Sequence, residues 1–370
     1  MKTQHYFLFL FTFLYIAGCS SGDDTADPTT LNTKIMKIST GNNASFFIDE
    51  GHQLYACGSN SSNQLGYENA SSQYLPVKTI SNVSAVASGE YHSLFLKTDK
   101  TLWAVGSNDS GQLGTGNTND QHSPVQIATN IIEIAAGKNY SFYVTAEHQL
   151  FAMGNNVFGQ LGNGNTNNQT TPVHIMDNVK SVVAATAHTL ILKTDGTLWS
   201  CGRNFTYELG DGTDVDKSTP VQIATNVTQM NAGNQFSVFL KSDGTLWGVG
   251  FDGAGQLGDG GSQTVHNPKQ ILNNVKEAKT GHGHTLALKT DGTLWAAGLN
   301  DFGQLGNGNY TNTGYFEKVM DGVFAISAGR SHSLALKNDG SVWSTGSNGS
   351  GQLGTGTGLS DRSHFEQVKF

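Results

Sequence analysis

Apolar and polar positions alternate in short runs along most of this chain, and the runs come in sets. Residues 236–242, "FSVFLKS", follow a period of two, and Asp243-Gly244 joins them to "TLWGVG" at 245–250. Asp-Gly between two such runs is a strong signal for a tight hairpin, because the turn needs positive φ. Ahead of them, "VTQMNAG" at 227–233 reads as another strand, and "PVQI" at 220–223 as a short strand with Pro220 at its start, where a missing N–H is tolerated. No stretch of this kind carries a helical period. The set predicts four short strands, followed by a long Gly/Asn/Asp loop containing Gly-Gln-Leu-Gly.

The loop leucine recurs as Leu65, Leu113, Leu161, Leu209, Leu257, Leu305 and Leu353, each 48 residues after the last. One position of the period is aromatic in every copy: Tyr55, Trp103, Phe151, Trp199, Trp247, Trp295 and Trp343. A fixed period of this size marks a solenoid, propeller or array, and four-stranded units repeated radially are propeller blades. Seven whole periods fill 35–370, and no end repeat looks like a cap. The fold expected is all-β, a closed seven-bladed β-propeller. "FEQVKF" at 365–370 matches "PVQIAT" at 220–225, so the last strand is expected beside the first, closing the ring.

The stretch "AGRSHSLALKNDGSVWSTGSNGSGQLGTG" at 328–356 resembles the regulator of chromosome condensation repeat, and all of 35–370 matches it in seven registered copies. The resemblance implies a seven-bladed β-propeller acting as a protein-binding scaffold. The family's eukaryotic founder is a nucleotide exchange factor that works through an inserted wedge, and seven equal repeats leave no room for one here. A plant photoreceptor of this fold depends on Gly-Trp-Arg-His clusters; "GRSHS" at 329–333 lacks the Trp. Neither activity is carried over. A secreted β-lactamase inhibitor of soil bacteria is similar in architecture.

Composition changes the picture at the ends. Residues 6–16 are an apolar run followed by "IAGC" ending at Cys19. The run is too short to span a bilayer and reads as a secretory signal. The tetrapeptide resembles a bacterial lipobox, which implies cleavage after residue 18 and lipidation of Cys19. Residues 19–34 are then a lipidated cysteine and polar tether, and the protein is expected at the bacterial cell envelope, lipid-anchored in the outer membrane, with periplasmic and surface-exposed orientations both open. The membrane is met only through that anchor. Lys and Arg number 21 against 29 Asp and Glu, a net charge of −8; without a basic stripe, nucleic acid is excluded as a partner. Cys57 and Cys201 share one apolar position three periods apart, beyond disulfide reach in a ring, and read as buried thiols.

Candidate chemistry is sparse. Gly-Gln-Leu-Gly is followed by no Lys and no helix, so it is a corner, not a phosphate loop, with its Leu expected to plug a gap beside the blade. His92, His188, His284 and His332 share one position and are expected to bond local backbone. Asp211, Asp214 and Asp216 form an oxygen-rich loop, the one weak candidate for a cation; otherwise no metal, no cofactor and no catalytic set is expected. Just before Gly-Gln-Leu-Gly, three repeats carry small polar residues, whereas four adjacent ones carry Phe158, Phe205 with Tyr207, Phe251 and Phe302. That sector is the candidate partner-binding rim. The function expected is a non-catalytic recognition scaffold, monomeric, binding an unidentified protein. The alternatives are an enzyme-inhibitor-like or glycan-binding module, and a purely structural envelope component.

Overall fold

A computed structural model describes residues 33–356 and 358–370. The signal segment, Cys19 and the tether up to residue 32 lie outside the described residues. The described chain forms seven antiparallel sheets of four strands, each sheet made from one continuous segment, with no helix among the described residues. In the first blade the order from the axis outward is Ile35–Thr40, Ala44–Asp49, Leu54–Gly58 and Gln73–Lys78. The seventh runs Val323–Ala328, His332–Lys337, Val342–Gly346 and Arg362–Gln367.

The sequence pattern explains the layering. Second strands such as His332–Lys337 are buried along nearly their whole length, because both of their faces meet neighbouring blades. Innermost and outer strands alternate more weakly, since one face or edge meets water. The outer strands are longer than "PVQI" suggests: Lys217–Ala224 spans eight residues, with Pro220 inside it. Proline is tolerated there because the strand is an edge, and the register breaks beside it between the Ser200 and Gly202 pairings. The hairpin turns form as read; Gly244 sits at φ 80° and its N–H donates to the Lys241 carbonyl at 3.0 Å.

Ring closure differs from the sequence expectation. The last strand pairs only with Val342–Gly346, whereas Ile35–Thr40 is the innermost strand of another blade. Counting from Ile35, each period already supplies a whole blade, so no blade remains to be shared by the two ends. Closure is instead by packing. Val368 lies with Ile35, Phe47 and Tyr55 in one buried cluster, and Phe370 meets the Phe47 ring edge-on at 5.1 Å. Just ahead of the first strand, the Lys34 carbonyl accepts the Glu50 N–H at 3.1 Å.

Candidate functional site

Each Gly-Gln-Leu-Gly loop leaves the third strand, crosses one face of the ring and returns as the outer strand. Its leucine is fully buried between blades: Leu65 packs with Phe46 and Ala56 of its own blade and Phe95 and Val105 of the next. Two conformational demands fix the glycines. Gly111 has φ 82°, and a Cβ there would stand 2.6 Å from Thr170 Cα in the next blade's outer strand. The loops are therefore corners, tightly applied to the following blade.

A buried asparagine organises six of the seven loops, and the sequence reading missed it. Asn156 Oδ1 accepts the Leu161 N–H at 2.9 Å, while its Nδ2 donates to Asn163 Oδ1 and to the Asn165 and Asn167 carbonyls. Asn60, Asn108, Asn204, Asn300 and Asn348 accept the equivalent leucine N–H in their own loops. The signal was present as an Asn repeating at the period, in a segment that passes for a polar loop tip.

The same network accounts for the acidic loop. Asp211 Oδ1 accepts from Asn204 Nδ2 at 3.0 Å and from Thr213, and Asp216 Oδ1 accepts from the Asn204 N–H at 2.7 Å. Asp211 also pairs with Lys217 at 3.3 Å, and Asp214 is exposed. Among the described residues no group of three or more His, Cys, Asp or Glu is placed to hold a metal ion.

The four histidines are buried, as expected of a structural position, but their partners lie across a blade boundary and not in local backbone. His188 Nε2 lies 2.9 Å from Ser237 Oγ, His284 Nε2 2.9 Å from Ser333 Oγ, and His332 Nε2 3.0 Å from Ser45 Oγ. Each of those hydroxyls spends its proton on a loop carbonyl of the histidine's own blade: Glu208, Gln304 and Gln352, all at 2.7 Å. The hydroxyl must then accept, so Nε2 carries the hydrogen and Nδ1 is bare; Nδ1 has no partner in all four residues. Burial holds the imidazoles neutral, lowering their pKa to about 4 for His92 and His332 and about 3 for His188 and His284. His332 to Ser45 gives the seam between the last and first blades the same bond that His92, His188 and His284 make at three other boundaries.

The axis of the ring holds a cavity of about 540 Å³. Its charged groups are mutually engaged. Lys138 and Arg330 approach Glu90 at 3.3 and 3.9 Å, Lys279 approaches Glu277 at 3.4 Å, and Lys37 Nζ donates to the Ser84 carbonyl. Both remaining cysteines are buried free thiols.

The aromatic sector lies on the Gly-Gln-Leu-Gly face. Phe158, Phe205, Phe251 and Phe302 are 39, 74, 37 and 39% exposed. They come from blades three to six, which are consecutive in the ring. Tyr207 is different: it occupies a loop-glycine position at φ 62° and stacks on His266 with ring centroids 3.9 Å apart. The sector thus comprises four exposed phenylalanines, with the Phe251 ring lying over Gly253 of its own loop and the tyrosine turned to a neighbour.

Comparison with known proteins agrees with this architecture. A family model described as RCC1-like domain matches residues 18–286, and models of the regulator of chromosome condensation (RCC1) repeat match 275–304, 325–352 and 291–336. Among solved structures, Prp20p from Saccharomyces cerevisiae is similar at 20% identity and TM-score 0.78, covering 88% of each chain. Human WBSCR16 is similar at 21% identity and TM-score 0.75, covering 83% of this chain and 87% of that one. At such identity the likeness is one of fold. No curated protein sequence matches the chain.

Proposed function

Since the chain belongs to the RCC1-like domain family, we propose that it is a non-catalytic recognition scaffold that binds another protein through the Gly-Gln-Leu-Gly face. In this reading it is held at a bacterial cell envelope by lipidated Cys19. The observation that carries the reading is the run of four exposed phenylalanines on adjacent blades. Exposed aromatics cost solubility unless they serve contact, and aromatics dominate interface energetics. A rigid ring holds them in place, so little ordering entropy opposes association. Prp20p has binding properties toward Gsp1p and histones, and a second yeast structure shows Kap60 bound to it; such use of the fold supports a protein partner. Nucleotide exchange is not part of the proposal, because the equal repeats leave no inserted wedge.

Replacing Phe158, Phe205, Phe251 and Phe302 together by Ser copies the small polar residues of the other repeats. The quadruple variant is expected to melt within about 3 °C of wild type and to lose the protein that wild type captures by cross-linking on intact cells. A drop well beyond that, with capture kept per folded molecule, would show the rings to be packing. If instead wild type saturably binds a glycan array and captures no protein, the carbohydrate-binding alternative takes its place.

Cys19→Ala tests the anchor separately. The variant is expected to fold with unchanged melting temperature and to leave the membrane fraction. Retention in the envelope, together with continued labelling by a lipid precursor, would sink the assignment.

A further inference from the structure

Two loops put a carboxyl where the others carry an amide, and the structure treats the two differently. In the fourth blade Glu208 stands in the place of the motif glutamine. It is buried, Thr206 donates to Oε2 from both N–H and Oγ1 at 2.7 Å, and the Arg203 guanidinium stands 3.6 Å from Oε1. That charge has a partner of its own. In the fifth blade Asp252 takes the place of the organising asparagine. Its Oδ1 accepts the Leu257 N–H at 2.8 Å, as the asparagines do, but Oδ2 is buried with no partner and the residue is 0% exposed.

The position of that orphan atom is informative. In the other loops the corresponding Nδ2 is a donor surrounded by acceptors, such as Asp211 Oδ1 and the Thr213 carbonyl around Asn204. Seven residues after Asp252 stands Asp259, as Asp211 stands after Asn204. Asp259 is already committed: Oδ1 accepts the Gly261 N–H at 2.7 Å, and Oδ2 accepts from Lys269 Nζ at 2.8 Å. Two ionised carboxylates would therefore share a dry site with one ammonium, and that ammonium sits on the further one. A single hydrogen on Asp252 Oδ2 restores the donor that every other loop has.

We propose that Asp252 is carried as the neutral acid in the folded ring, its proton shared with Asp259 in place of the amide hydrogen. This makes the fifth-blade loop, which also bears Phe251, a proton-linked element of the recognition face. The groups that bear on it are Asp259 on its own loop, Lys269 from the adjacent outer strand, and Tyr315 of the sixth blade, which bridges Asp259. Burial first, and the Asp259 charge after it, push the Asp252 carboxyl up to about 7, against the opposing Leu257 N–H and Lys269; Asp259 is lowered. The sign follows from linkage: a carboxyl with a raised folded pKa stabilises below its unfolded value, and that stability is lost as pH rises through about 7.

Melting curves of full-length wild type and Asp252→Asn from pH 5 to 8.5 test this. The asparagine variant supplies the donor at every pH, and titrations elsewhere in the molecule cancel in the comparison. Its melting temperature is expected to exceed that of wild type by an amount that grows by about 3–6 °C between pH 5 and pH 8.5. A gap independent of pH would overturn the proposal. So would recovery of wild type at pH 8.5 by millimolar calcium, which would make the site a cation seat. Asp259→Asn is the second variant: with the neighbouring charge gone, its pH-dependent loss of stability is expected at lower pH than in wild type, and a loss at the same or higher pH would count against the shared proton.

Discussion

Removing residues 365–370 is expected to lower the melting temperature by more than about 10 °C or to prevent recovery of soluble protein, whereas removing 20–32 is expected to leave it unchanged. The first deletion takes away much of the outer strand of the seventh blade, together with buried Phe365 and Val368 and the Phe370 ring that abuts Phe47 and Tyr55. Each such side chain contributes about 1.5–3 kcal/mol when buried. Their sum, about 5 kcal/mol or more, rivals the whole stability of a typical domain, about 5–15 kcal/mol. The Val342–Gly346 strand would also become an exposed edge, inviting association. Equal melting temperatures for the two truncations would contradict closure by this packing.

His188→Ala is expected to cost about 3 kcal/mol at pH 7.5 and close to nothing at pH 4.5. At neutral pH the variant leaves a cavity and removes the donor to Ser237 Oγ, losses of the size seen for buried truncations and broken hydrogen bonds. In acid, linkage acts on the wild type alone. Burial holds the folded pKa near about 3, below the ordinary 6.5. Between those values the unfolded chain binds the extra proton, so the histidine's contribution shrinks as pH falls, by about 1.4 kcal/mol per unit. Two units offset most of the neutral-pH advantage. Urea unfolding of both proteins at the two pH values measures it; an equal penalty at both would mean that the imidazole is not held neutral.

The period made the ring legible in the sequence. Leu65 and its equivalents repeat without a single insertion, and the Asp-Gly turns mark the hairpins. What depended on contact between repeats was harder to read. Ser237 lies one residue past the next copy of the His188 position, so the partner is invisible when a motif is judged by its own neighbours. The Asn156 role was hidden because asparagine in a loop ordinarily needs no explanation. The candidate rim was legible as composition, but not the separation of four exposed phenylalanines from Tyr207, which depends on whether a particular neighbour, His266, offers a ring to stack on.

One covalent segment per blade has a consequence for descent. Here unequal recombination between any two copies, at whatever point in the 48-residue unit, inserts or excises a complete blade, and every remaining boundary keeps its leucine plug and its hydroxyl partner. Ring size and the order of surface loops can therefore drift independently of the scaffold. A new recognition sector can arise by copying a neighbour, without inventing a fold.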